Sequence, residues 1–248
     1  MIKRIRYFFA GFFMGVAELI PGISGSTVAL LFGIYKNLIQ ILSELKFNRK
    51  TFTLDYLQNK LQISLIIFLI IPMFASLILF AELINFLIEN YNFYFYRFLS
   101  LLMLVIGIYV LKIFDKALVF YKNILLFLIG SIFGSLIGLI DIQFVESFPF
   151  IFLGGFIAFS FFLIPGISGS AILVSIGLYE TMINSIATAH LPIISSFLLG
   201  ALVALILMPK FIKKIYFRHN HKVDSLFAGL IVYSLSLIHI SEPTRRIT

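Results

Sequence analysis

Cysteine is absent from all 248 residues, which excludes disulfides and thiolate metal sites. The four histidines are scattered and form no metal-ligand pattern, so neither a metal nor any other cofactor is expected. Charge is also scarce, at 12% of residues, whereas hydrophobic residues make up 61%. With a mean hydropathy of +1.09, the chain is far too apolar for a soluble domain and reads as an integral membrane protein. Its net charge of +8 needs no nucleic-acid partner, because the basic residues fall in the loops of a membrane topology. Those loops are also suited to anionic lipid head groups.

What the chain does have is one long exact repeat. Ile20-Pro21-Gly22-Ile23-Ser24-Gly25-Ser26 returns as Ile164-Pro165-Gly166-Ile167-Ser168-Gly169-Ser170. At the same offset of 144, Gly11-Phe12 matches Gly155-Phe156, Leu19 matches Leu163, Gly33 matches Gly177 and Tyr35 matches Tyr179. Each copy runs an apolar segment into Pro-Gly, which breaks a helix, and then into small hydroxyl and glycine residues that suit the start of another. Helix, break, helix is therefore expected twice. Backbone freed at membrane depth is tolerated only in a protein interior or beside water, so the two breaks point to one shared internal site.

The first hairpin is expected over residues 2–45, either spanning twice or dipping in and returning. Three spans follow: Leu61 to about Ile88, Phe93 to Leu111 and Ile124 to Ile140, with a turn at Glu89-Asn90-Tyr91-Asn92. Gly130, Gly134 and Gly138, four apart, give the third a smooth packing face. The second hairpin is expected over residues 147–189, followed by one complete span, Ile193 to Met208, and one truncated span from about Ser225. The domains read as 1–141 for the first repeat, 142–234 for the second and 235–248 for a tail. That tail, from Leu235-Ser236-Leu237-Ile238-His239 onward, resembles a translated library-preparation adapter and is read as non-native.

An odd number of spans between hairpins inverts the second copy, giving an all-α membrane protein of two inverted-topology repeats. Of the 19 Lys and Arg residues, 15 then fall on the side of the first hairpin, in the segments around Lys3 to Arg6, Lys46 to Lys60, Lys112 to Lys122 and Lys210 to Lys222. The positive-inside rule makes that side, with the N-terminus, cytoplasmic. Tyr91, Phe93, Tyr94, Phe95 and Tyr96 would form an outer interfacial belt. Arg97 at its inner edge reads as a snorkelling anchor or as the counter-charge for an anionic substrate.

Helices beginning at Ser24-Gly25-Ser26-Thr27 and at Ser168-Gly169-Ser170 would offer backbone N–H groups and hydroxyls to an anion from opposite sides. The candidate substrate-binding residues are thus Pro21, Gly22, Ser24, Gly25, Ser26, Thr27, Pro165, Gly166, Ser168, Gly169, Ser170 and Arg97. Close crossing of two hairpins is the competing reason for such small residues, but packing alone would not require both serines in both copies. Glu18 is the one acid beside a motif, with Phe162 as its counterpart. It is a proton-coupling candidate or a group that bonds the broken hairpin.

The run Gly15-Val16-Ala17-Glu18-Leu19-Ile20-Pro21-Gly22-Ile23-Ser24-Gly25-Ser26-Thr27 with Gly33-Ile34-Tyr35, and its downstream copy ending in Gly177-Leu178-Tyr179, resembles the bacterial polyprenyl-phosphate transporter family. That family was long catalogued only as a domain of unknown function. The resemblance implies a transporter in the bacterial cytoplasmic membrane, not an enzyme, that returns undecaprenyl phosphate from the outer to the cytoplasmic leaflet for cell-envelope synthesis. It departs from the family at Ser26, where members often carry a second glycine. An undecaprenyl-pyrophosphate phosphatase has similar hairpins, but its motif arginine and paired glutamates are lacking here. A small-anion transporter or channel fits the same cradle. Proton or ion coupling and oligomer formation stay open.

Overall fold

A computed structural model describes residues 2–20, 22–45, 53, 55–113, 117–138 and 147–240, although at some helical positions only the backbone is described. Every regular element among them is helical. The first hairpin comprises α1 (Ile2–Glu18), α2 (Gly25–Leu31) and α3 (Tyr35–Ser43). The long α4 (Ile63–Ile113) and α5 (Ala117–Gly138) follow. The second hairpin comprises α6 (Phe148–Phe162), α7 (Gly169–Ser175) and α8 (Tyr179–Ala187). The chain continues through α9 (Leu191–Arg218) and α10 (Asn220–Ile240).

Both sequence-expected hairpins form, but each second arm is two helices rather than one. The bend is 118° between α2 and α3 and 109° between α7 and α8. Its cause is local. Gly33 takes φ +64 and Gly177 takes φ +71, the left-handed region that favours glycine. Around Gly33, its own N–H bonds Leu30 O and the Ile34 N–H bonds Ala29 O; Gly177 and Leu178 repeat this with Val174 O and Leu173 O. This is a Schellman stop with a buried apolar residue, Ile34 or Leu178, just beyond it. Seven residues rise only about 10 Å, far short of a ~30 Å hydrocarbon core. The geometry therefore fits the re-entrant alternative.

The breaks in the longer helices also recur. α4 leaves helical geometry only at Tyr91, with φ −125 and ψ 26, and His219, between α9 and α10, has φ −137 and ψ 44. Ile63 to Leu191 and Tyr91 to His219 are both separations of 128 residues, because the connection 44–62 shrinks to 188–190 in the second half. The two spans expected on either side of Glu89 to Asn92 are thus two helical limbs of α4 that meet at a kink at Tyr91, tighter than the four-residue turn expected. Pro72 lies within α4 without interrupting it. The loop expected over Lys112 to Lys122 is mostly helical, with residues 114–116 outside the described chain. The expected loop at Asp141 to Ser147 and the tail beyond Ile240 also lie largely outside it.

α1 packs along the first limb of α4, α6 along α9, and α5 along α10. Glycines set the distance. A Cβ on Gly11 would meet the Leu69 carbonyl, and one on its repeat partner Gly155 would meet the Phe197 carbonyl. The glycine face of α5 packs as expected at Gly130, against the Leu226 carbonyl, and at Gly134, against the Tyr233 ring. Large apolar side chains such as Ile71, Phe74, Ile78 and Leu79 face outward from α4, the pattern of a lipid-exposed surface. Ile63–Tyr91 and Leu191–Arg218 are each long and apolar enough to cross a bilayer. Tyr91, Phe93 and Tyr94 of the aromatic cluster are exposed, while Phe95 turns into the core.

Candidate functional site

The two motifs meet. α1 closes with Leu19 N–H and Ile20 N–H bonded to Val16 O and Ala17 O, and α6 closes with Ile164 N–H bonded to Phe161 O. The chain then reverses at Gly22, with φ +85, and at Gly166, with φ +91. Ser24 (φ −105, ψ 134) and Ser168 (φ −88, ψ 132) are extended, and the short helices start one residue later. The sequence puts serine where a helix cap belongs, yet neither serine caps its helix through its side chain. Instead Ser24 Oγ lies 2.6 Å from Ser26 Oγ, and Ser168 Oγ lies 2.6 Å from Ser170 Oγ. Each motif thus carries a hydroxyl pair beside the start of a short helix.

Between the copies, the Gly166 N–H donates to Thr27 Oγ1 at 2.9 Å and the Tyr35 hydroxyl donates to Leu163 O at 2.9 Å. Both bonds are buried. Within the first copy, the Gly25 N–H donates to Glu18 Oε1 at 2.7 Å, so a carboxylate oxygen holds the first amide of α2. Phe162 replaces Glu18 in the second copy. There a Cβ on Gly169 would meet Ala158 O at 3.0 Å and Phe162 Cβ at 3.3 Å. Ser24, Ser26, Thr27 and Ser168 are almost wholly buried, and Ser170 is half-buried. Ile231 and Leu230 of α10 cover Gly166 closely enough that a Cβ there would collide with them.

Of the sequence-selected residues, the structure brings Glu18, Gly25 and Thr27 into contact with their hairpin or with its partner copy. Ser24 and Ser26, like Ser168 and Ser170, pair within their own copy. Pro165 and Gly169 are buried beside them, and Gly22 supplies the left-handed turn. Pro21 lies outside the described residues. Arg97 is exposed, with its guanidinium 4.1 Å from the Phe93 ring centroid, as an interface anchor would be. Among the described residues, no group of His, Cys, Asp or Glu is arranged to hold a metal.

Two residues escaped the sequence reading. Tyr35 was visible only as a repeat match, and its role shows in its buried ring against Tyr216 and Phe227. Asp224, at the first turn of α10, is buried with Oδ1 unpartnered among the described residues. Burial pushes its carboxyl up to about 6, against the pull of the Tyr216 hydrogen bond and the charges of His221 and Lys36. The available signal for Tyr35 was its match to Tyr179 at the 144 offset, whereas Asp224 has Phe80 at that offset and no motif marks it.

A family model described as VCA0040-like, undecaprenyl phosphate translocase-like, matches residues 14–247. A relative from Vibrio cholerae serotype O1, named polyprenyl-phosphate transporter, is 26% identical over 244 residues, covering 95% of this chain and 79% of its own. No solved structure matches the chain.

Proposed function

We propose that this chain, which belongs to the undecaprenyl phosphate translocase-like family, is a transporter of a polyprenyl-phosphate lipid and returns undecaprenyl phosphate from the outer to the cytoplasmic leaflet. The observation that carries the reading is the Gly166 N–H to Thr27 Oγ1 bond, because it joins the two broken hairpins into one polar interior. A bare phosphate crossing hydrocarbon would be prohibitively costly. Hydroxyl and N–H donors from Ser24, Ser26, Ser168, Gly169 and Ser170 replace its water while the prenyl chain stays in lipid, and Gly25, its own N–H held by Glu18, lets the head group approach the backbone closely. The two hairpins enter from opposite faces, so the head group meets one motif from each side of the membrane. Glu18 carries the proton that couples transport to the gradient.

The inner-membrane location, with a cytoplasmic N-terminus, follows from the charge distribution. The names of the family and of the relative are those of transporters, and neither motif contains the arginine that a phosphatase of this hairpin type would need. The test is flipping by purified protein in vesicles, with undecaprenyl phosphate, undecaprenol and inorganic phosphate in parallel. Only the phosphorylated lipid is expected to move, with no phosphate released from undecaprenyl pyrophosphate. Transport of inorganic phosphate alone would make the protein a small-anion transporter, and phosphate release above a vector control would make it an enzyme.

A further inference from the structure

A second polar feature lies away from the paired motifs, where the end of α3 meets the basic end of α9. It is an open cavity of about 490 Å³ lined by Ser43, Glu44, Lys210, Lys213, Lys214 and Phe217. Lys210, Lys213, Lys214 and Phe217 are spaced three and four apart and so share one face of α9. Lys213 Nζ bonds Glu44 Oε1 at 3.0 Å, which locks α9 to the end of α3. One ammonium is thereby matched by a carboxylate, and the wall keeps an excess of two positive charges from its three lysines and one glutamate. Ser43 Oγ is committed to Gln40 O, which leaves the lysines as the polar donors.

We infer that this cavity is a binding site for a lipid phosphate monoester, and specifically the station at which the head group is received on leaving the paired motifs; the second clause rests on the transport reading above. Three observations select that ligand class. The excess of two positive charges on the described lining residues matches a monoester, which carries roughly −1.5 to −2 charges near neutral pH, better than the single charge of a phosphodiester. Phe217, 44% exposed, stands on the same face as the lysines, with Lys36 Nζ 4.8 Å from its ring centroid, so the cavity offers an apolar surface for the start of a chain while the head sits among ammonium groups. The interior site offers only neutral donors and Glu18 among its described contacts, so a cationic exit lowers the free energy of a charged head group as it leaves.

The cavity is also mechanically tied to the interior. α3 begins at Tyr35, whose hydroxyl holds the Leu163 carbonyl of the second motif, and ends at the Glu44 cap that holds Lys213. α3 packs on α9 along the way. One nine-residue helix therefore reaches from the motifs to the cavity, a length of about 14 Å.

The experiment is lysine footprinting of the full chain in phosphatidylcholine vesicles, reading acylation of Lys210 and Lys214 by mass spectrometry. Undecaprenyl phosphate is expected to protect both, and undecaprenol, inorganic phosphate and phosphatidylglycerol to protect them weakly or not at all. A Lys210→Gln, Lys214→Gln double variant is expected to bind undecaprenyl phosphate roughly ten-fold more weakly, with Lys210→Arg, Lys214→Arg close to wild type. A Lys3→Gln, Lys60→Gln variant removes the same net charge elsewhere and is expected to bind normally. Equal protection by phosphatidylglycerol would make the cavity a general lipid site, equal protection by inorganic phosphate would make it a free-anion site, and equal weakening by the control variant would reduce it to a diffuse field. Each outcome overturns the inference, as does undiminished binding by the lysine double variant. Protection in a protein that fails to flip lipid would sink the transport reading and its receiving role while leaving the monoester site standing.

Discussion

At the residue scale, the account turns on a few buried donors and acceptors. Thr27→Val keeps the shape of the side chain but leaves the Gly166 N–H without its acceptor, which costs about 1–3 kcal/mol for a buried unsatisfied donor. Ser26→Ala removes only one member of a hydroxyl pair and is expected to cost about 1 kcal/mol. Thermal melting of both variants in detergent checks the order, and equal melting temperatures would remove Thr27 from its linking role. Glu18→Gln retains an acceptor for the Gly25 N–H but cannot carry a proton. It is expected to bind substrate normally and to flip it with no dependence on pH between 6 and 8, whereas the wild type responds; an unchanged pH response would exclude Glu18 as the coupling group.

At the scale of elements, glycine decides both how closely helices approach and where they stop. Gly11→Ala would push a methyl into the Leu69 carbonyl, and Gly155→Ala one into the Phe197 carbonyl, so each is expected to destabilise by about 1–3 kcal/mol. Gly33→Ala would bring its methyl only into ordinary contact with the Arg6 guanidinium, at 3.9 Å, but must hold φ +64, a strain of about 1–2 kcal/mol. A detergent melt in which Gly11→Ala and Gly155→Ala leave stability untouched would refute the packing. Much of this level was legible in the chain. The exact motif repeat located both breaks, and Gly11 and Gly155 were already a matched pair. The correspondence between α4 and α9 was not legible, because the shorter connection before α9 moves the offset from 144 to 128 and the side chains have diverged. The choice between spanning and re-entrant arms was also hidden, since it depends on the conformation of Gly33 and Gly177 rather than on hydropathy. The Thr27 to Gly166 bond joins residues 139 apart and is purely tertiary, so no local pattern announces it.

At the scale of the whole molecule, two basic segments are each tied to a neighbouring element. Arg4 stands over Phe68 near the start of α4, and Glu44 at the end of α3 holds Lys213. The inverted arrangement proposed for the two halves places residues 46–60 and 210–222 in the cytoplasm and 141–147 outside. Single cysteines at positions 50 and 144, introduced into this thiol-free chain, are expected to react with an impermeant reagent from opposite sides. Reaction from the same side would contradict the inversion. The central claim is that both motifs act on one head group. Its most direct measurement is undecaprenyl phosphate flipping by Gly25→Val, Gly169→Val and the double variant in vesicles, each first shown to be folded by its melting transition. Valine at 25 would displace Glu18 Oε1, which lies 2.8 Å from the Cβ position, and valine at 169 would crowd Ala158 O and Phe162. Either single variant is expected to slow flipping at least ten-fold, as one 1.4 kcal/mol loss would do, and the double variant to abolish it; normal flipping by the folded double variant would contradict the shared site.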